Sequence, residues 1–358
     1  MGWGKGEGEE AGAILRVFQA LRIFCLRHYE RQGVALVGAW CLCLTLLWTT
    51  GVVQAGESDD MSMKRRQQGI LTGMPFMANL ASRTFVDDLG RKLYLAKPPV
   101  RVVSLAPSMT EILYSLGLDE EIVGVSDFCD YPPQARAKPK IGYSNPNLES
   151  IVALRPDLVL APSTFLRADT LAKLEQLKIP TFILEAKAIE EIPSHVQTIG
   201  RMMDRAQAGD RVATEMRRQI AAIRATVQEL PRLRVLYVLN SQPLITVGPG
   251  SFIHQMIELA GGVNVAGRAQ TPYPRLSLEE VLKEDPELLI FPIGSAESIP
   301  QSEQQQWQRW ATLSAVKHRR FHQIAADLLN RPGPRIAQGL EALARIIHPE
   351  AFDPRPGP

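Results

Sequence analysis

The chain has 358 residues, with 40 Lys and Arg against 38 Asp and Glu, a formal charge of +2. So small a charge gives no field for gripping a polyanion, which argues against nucleic acid as a partner. With 45% hydrophobic and 22% charged side chains, the composition is that of a globular protein and not of a disordered one.

Residues 1–55 read as a signal peptide. Arg22, Arg27 and Arg31 precede an uncharged run from Gly33 to Val53, and Val53 and Ala55 are the small residues a leader peptidase needs before a cut after Ala55. Cleavage there would place the protein in the periplasm. The alternative is a retained N-terminal membrane anchor, since about 20 apolar residues span a bilayer. Cys25, Cys41 and Cys43 all fall in this segment, so a mature chain of 303 residues keeps Cys129 alone and forms no internal disulfide. Its length suggests about two domains.

Residues 56–83 mix charge, Gly and Met without a period and read as a flexible leader. An N-terminal lobe is expected over 84–190, opening with a hairpin turned at Asp88 and Gly90. Short apolar strands then alternate with helices. Strands are predicted at Arg101 to Leu105, Ile122 to Val125, Leu158 to Ala161 and Thr181 to Leu184. The helices between them are Thr110 to Leu116, opened by the cluster Ser108 to Glu111, then Leu148 to Leu154 and Thr170 to Leu177. This alternation predicts a parallel sheet covered on both faces.

No strand pattern appears between Ile189 and Leu230. There Val212, Met216, Ile220, Ile223 and Val227 recur every three or four residues, predicting one long helix from Ala208 to Gln228. Residues 191–230 are read as an interdomain helix region. A second α/β lobe follows over 231–350, with a strand at Arg234 to Leu239 and a helix at Phe252 to Ala260 after the turn Gly248-Pro249-Gly250. Residues 351–358 are a tail.

The lobes repeat. Asn147 to Leu160 aligns without a gap to Ser277 to Ile290, pairing Glu149 with Glu279 and Pro156 with Pro286, 130 residues apart. That period is too long for a solenoid and fits a duplicated domain.

The catalytic patterns are missing. There is no phosphate loop and no nucleophile elbow, and Cys129 has no histidine near it in sequence, so it reads as a packing residue. His318 and His322 would share a metal only on a helix. Their surroundings read as a turn entering a strand, where residues four apart stand about 13 Å from one another. No enzyme, metal site or resident cofactor is expected.

In open α/β sheets ligands sit beyond the carboxyl ends of the strands. Two such lobes facing one another make a cleft from Ser108, Phe128, Tyr131, Tyr143, Phe165, Tyr273, Asp327 and Arg331, each at or just after a strand end. Mostly apolar walls with a few placed polar groups suit a small molecule.

At these residues the chain resembles the solute-binding proteins of ABC importers for cobalamin, ferric siderophores and haem. The likeness is carried by Ser104 to Glu111, Val123-Gly-Val-Ser126, Asp130-Tyr-Pro-Pro133 and Asn147 to Asp157, and covers roughly Arg101 to Ile347. Val123 to Pro133 leans towards the cobalamin binders. The resemblance implies two α/β lobes joined by a rigid interdomain helix, with little closure, and a monomer that hands a corrinoid to an importer permease and its ATPase. It implies that Glu149 and Glu279 dock on permease arginines, that Phe128, Tyr143 and Tyr273 wall the ligand, and that Asp327 and Arg331 bond its amide arms. Leu328-Leu329 and Pro162 stand where the family has aromatics. A ferric siderophore or haem is the near alternative, and an α/β enzyme or metal-dependent sensor the distant one.

Overall fold

The computed structural model describes residues 83–142, 146–163, 166–294 and 298–352. The expected signal segment, nearly all of the leader, Tyr143 and Phe165 lie outside the described residues.

The first sheet consists of β3 (Val102–Ser104), β4 (Ile122–Val125), β5 (Leu158–Ala161) and β6 (Thr181–Ile183), all parallel, in the order β4-β3-β5-β6. Before it comes the hairpin β1 (Thr84–Val86) and β2 (Lys92–Tyr94), whose turn is closed by the Asp87 carboxylate accepting from the backbone N–H groups of Leu89 and Arg91. The hairpin is tied to edge strand β6: Asp88 donates its N–H to the Ile183 carbonyl at 3.0 Å and accepts from the Glu185 N–H at 2.6 Å.

Helices α1 (Pro107–Ser115), α2 (Leu148–Ala153) and α3 (Ala168–Gln176) complete the lobe. α1 begins earlier than the sequence suggested, and its first turn is not a capping box. Pro107 sits at the first helical position, where its fixed φ suits the turn and its missing N–H costs nothing. The Glu111 carboxylate turns away from Ser108 altogether, for a reason given below.

The second lobe repeats the plan. Strands β7 (Leu233–Tyr237), β10 (Gly262–Asn264), β11 (Leu288–Ile293) and β12 (Phe321–Ala325) form a parallel sheet in the order β10-β7-β11-β12, the same winding as the first. A small hairpin, β8 (Asn240–Ser241) and β9 (Leu244–Ile245), is added after β7. The helices are α6 (Phe252–Leu259), α7 (Leu278–Glu284), α8 (Gln301–Gln306), α9 (Ser314–Lys317), α10 (Ala326–Leu329), α11 (Ile336–Ile347) and α12 (Pro349–Phe352).

The joint is α5 (Ala206–Val227), the long helix foreseen, with a second helix, α4 (Glu191–Met202), packed on it. The two run close at Gly200 and Gly209. A methyl group on Gly209 would stand 3.2 Å from the Val196 carbonyl oxygen, and one on Gly200 3.1 Å from the Gly209 Cα. α4 buries Ile192, Val196, Ile199 and Met202 along one face, and Pro193 sits in its first turn, where its ring is tolerated.

One continuous core runs through both lobes and the joint. It holds Val102, Ile112 and Phe182 from the first lobe, Met216, Ile223 and Val227 from α5, and Val235, Ile257 and Leu340 from the second. Each such side chain withdrawn from water contributes roughly 1.5–3 kcal/mol. Two smaller clusters lie on the other faces of the two sheets.

Candidate ligand cleft and docking glutamates

The loop after β4 is held from beneath. The buried Cys129 thiol lies 3.1 Å from both the Thr110 and the Ser126 hydroxyls, Thr110 donates to Ser104 Oγ at 2.8 Å, and Lys140 Nζ donates to the Cys129 carbonyl at 2.7 Å. Burial pushes the thiol pKa up, as suits a packing residue. With its base fixed, the loop turns Phe128 and Tyr131 outward, 38% and 43% exposed.

The facing segment follows β12. Asp327 lies in the first turn of α10, and Asn330 is anchored by the buried Tyr237, whose hydroxyl donates to Asn330 Oδ1 at 2.8 Å. The chain then passes through Arg331-Pro332-Gly333-Pro334-Arg335 into α11. Here the lobes touch. Gly333 lies against Ser108, where a Cβ would stand 3.3 Å from the Ser108 carbonyl oxygen.

Beside this contact, both arginines of the second lobe reach carboxylates of the first. Arg335 grips Glu111 with two bonds, Nε to Oε2 at 2.8 Å and Nη2 to Oε1 at 2.7 Å. Arg331 Nη1 donates to Asp130 Oδ1 at 2.7 Å and to Glu111 Oε1 at 3.3 Å. Asp327 closes the set, 2.8 Å from Arg335 Nη1. The Arg335 guanidinium also lies over the Tyr131 ring, 3.8 Å from its centre, a cation–π contact. The Glu111 side chain is only 3% exposed, and those of Arg331 and Arg335 10% and 12%.

Burial pushes the Glu111 carboxyl above its ordinary range, against the pull of Arg335 and Arg331. Asp130 goes the other way. Burial opposes its charge, but the Arg331 hydrogen bond and charge outweigh it and hold the carboxyl below its usual value. Burial likewise works against the charge on Arg335, and its bonds to Glu111 and Asp327 outweigh that and raise its pKa.

The structure thus brings Phe128, Tyr131, Asp327 and Arg331 to the boundary between the lobes. Arg331 and Asp327 are already bonded there and not free. Ser108 is there too, buried under Gly333. Tyr273 follows the turn after β10 and is 49% exposed. Sequence reasoning gave Glu111 only a place in the cluster opening α1, met Asp130 only as part of the loop that carries the family resemblance, and gave Arg335 no role. One signal was available: a glutamate between Met109 and Ile112, on an apolar helix, needs a buried cation. His318 caps the end of α9 while His322 lies in β12, so no helix presents both.

The paired glutamates stand in near-identical frames. Asn147 caps α2 by accepting from the Ser150 N–H, and Ser277 caps α7 by accepting from the Glu280 N–H. Glu149 and Glu279, each the second residue of its helix, are exposed. Both helices end in a left-handed residue, Arg155 with φ 45° and Asp285 with φ 43°. Beyond it, Asp157 accepts the Arg101 N–H at 2.9 Å and Glu287 the Arg234 N–H at 3.0 Å. Both glutamates lie on the side of the strand carboxyl ends. Asn147 hangs on Ile141 and through it on Val125, the end of β4, and Leu276 hangs on Leu244 of β9.

Two lobes of one winding, welded through helices and meeting beside aromatic loops at their strand ends, define a bilobal solute-binding protein. The chain belongs to the periplasmic binding protein family, whose model matches residues 102–328. It is 35% identical over 248 residues to the vitamin B12-binding protein of Vibrio vulnificus (strain CMCP6), covering 69% of this chain and 89% of that one. Among solved structures, the periplasmic vitamin B12 binding protein BtuF of Vibrio cholerae aligns with a TM-score of 0.64 at 30% identity, covering 71% of this chain and 98% of that one. The periplasmic heme-binding protein RhuT from Roseiflexus sp. RS-1 aligns with a TM-score of 0.64 at 27% identity, covering 70% and 98%. Members of this family bind substrates for ABC transporters and are not enzymes, so an importer is implied as partner. Among the described residues no helix is long and apolar enough to cross a membrane.

Proposed function

We propose that the protein captures a corrinoid between its lobes in the periplasm and delivers it, as a monomer, to the permease and ATPase of an ABC importer. The observation that carries this reading is the charge balance at the cleft floor. Two arginines are bonded to three carboxylates, Glu111, Asp130 and Asp327, which leaves no positive excess within that network. A ligand with several carboxylates would need one. A corrinoid is a broad, partly apolar ring whose arms end in amides, and amides bond equally to a carboxylate oxygen or a guanidinium N–H. Phe128, Tyr131 and Tyr273 supply flat faces for the ring, with Tyr143 and Phe165 as further walls. Ser108 would act through its contact with Gly333, at the base of the site.

Glu149 and Glu279 are the docking carboxylates of this reading. Each is exposed, and a carboxylate–guanidinium pair is bidentate and directional, so two of them set orientation as well as affinity. Export by a signal peptide cut after Ala55 completes the reading.

Titration calorimetry of the purified protein with cyanocobalamin, haem and a ferric siderophore in parallel tests it. Sub-micromolar one-to-one cobalamin binding is expected. Binding of haem alone, the ligand class of RhuT, would keep the transport role and discard the corrinoid. No binding by any of the three would overturn the reading.

A further inference from the structure

The residues that bridge the lobes are not the exposed ones. Glu111 sits on α1 of the first lobe, nearly sealed from water, and accepts from two arginines more than 200 residues away in sequence. Its five neighbours on α1 that are buried include Met109, Ile112 and Leu113, so an unpaired carboxylate there would be strongly unfavourable. The arginines are equally committed. Arg335 spends donors on both Glu111 and Asp327, and Arg331 on both Glu111 and Asp130. The Arg335–Glu111 pair is planar and two-pronged and so constrains angle as well as distance, while Arg331 joins Asp130 and Glu111 through the single nitrogen Nη1. The contact of Gly333 with Ser108 lets the backbones approach closely enough for the forks to reach.

We propose that Glu111 is a positioning residue of the cleft: by holding Arg335 and Arg331 across the lobe boundary it sets the separation of the two lobes before any ligand arrives. Arg331 and the Tyr131 ring, stacked under Arg335, then meet the ligand already in place. The ordering cost is met during folding and not at binding. What the cleft holds rests on the corrinoid reading, but the latch itself does not.

The test measures lobe separation without ligand. Spin labels are placed at Lys173→Cys on α3 and Lys283→Cys on α7, both exposed sites, in the full chain with Cys25, Cys41 and Cys43 replaced by Ser; the native Cys129 is buried. A single narrow interlabel distance is expected for the parent. Glu111→Gln, which keeps the shape and removes the charge, should broaden or shift that distribution and lower cyanocobalamin affinity about tenfold. Should Glu111→Gln fail to give a cooperative melt, the double variant Glu111→Gln with Arg335→Gln, which leaves neither charge stranded, is measured instead. An unchanged narrow distribution in a folded variant would overturn the proposal, as would failure of both variants to fold, which would make the cluster purely structural. A changed distribution in a protein that binds haem but not cobalamin would leave the latch standing and remove only the corrinoid.

Discussion

The two lobes are alike where they wind and unlike where they face each other. Their sheets share one strand order, and the two helix–turn–strand units agree down to the left-handed residue before each strand and the acid after it. The loops at the boundary share nothing comparable. The first lobe offers aromatics and acids, Phe128, Asp130, Tyr131 and the buried Glu111; the second answers with Arg331 and Arg335. A duplicated frame kept in two copies fits a symmetric demand, such as a partner read at two points. Rims that have diverged into complements fit an asymmetric one, a ligand touched differently from each side.

The largest effect expected concerns the shared frame. Replacing Glu149 and Glu279 together with Ala should reduce uptake at least tenfold in an importer-dependent growth assay while calorimetric ligand affinity stays unchanged. Each single variant should fall between, and by similar amounts; unchanged uptake in the double variant would end the docking role and the symmetry argument with it.

Next comes the complementary side. Glu111→Ala takes away the carboxylate that two largely buried arginines share, leaving Arg335 only Asp327 and Arg331 only Asp130, and should destabilise the fold by at most roughly 3–5 kcal/mol in denaturant melts. Gly339→Ala should cost about 1–3 kcal/mol, because a methyl group there meets the Leu328 carbonyl oxygen and overpacks the contact of α11 with α10, the helix that carries Asp327. If Gly339→Ala also weakened uptake at saturating ligand, the second rim would serve more than the cleft.

The smallest effect is in pH. Asp130 is held below the ordinary aspartate value of 3.8, so its contribution is full at neutral pH and fades as pH falls through its depressed folded value. The gap in stability between the parent and Asp130→Asn should therefore be constant from pH 5 to about 7 and close below about pH 3.8. A gap that persisted into stronger acid would mean the contact owes nothing to charge.

The same division governs what could be read from the sequence. Strands such as Ile122–Val125 and Leu158–Ala161 appeared with their observed bounds, because fully buried parallel strands are uninterrupted apolar runs. The pairing of Glu149 with Glu279 was visible because duplication leaves a trace in spacing. Glu111 was misplaced as part of a helix cap, since a Ser-x-x-Glu pattern has a local meaning and its actual partners are 220 and 224 residues away. α4 was absorbed into the joint although Ile192, Val196, Ile199 and Met202 recur every three or four residues; its close packing on α5 at Gly200 and Gly209 is what no hydrophobic period announces. Tyr131 and Tyr273 were named as cleft walls, and nothing in their neighbourhood foretold that Arg335 would stack on the first. Local signals carried the frame, and long-range ones made the boundary.

The continuous core has a thermodynamic corollary. Because apolar side chains of both lobes and of α5 interdigitate without a break, the main interior belongs to both halves together, and each half keeps to itself only the smaller cluster on the other face of its sheet. Heat or denaturant should therefore dissolve both lobes in one transition. Anything captured at the boundary then raises the midpoint for the entire chain by mass action, so a simple melting scan across a panel of candidate cargoes doubles as an affinity ranking.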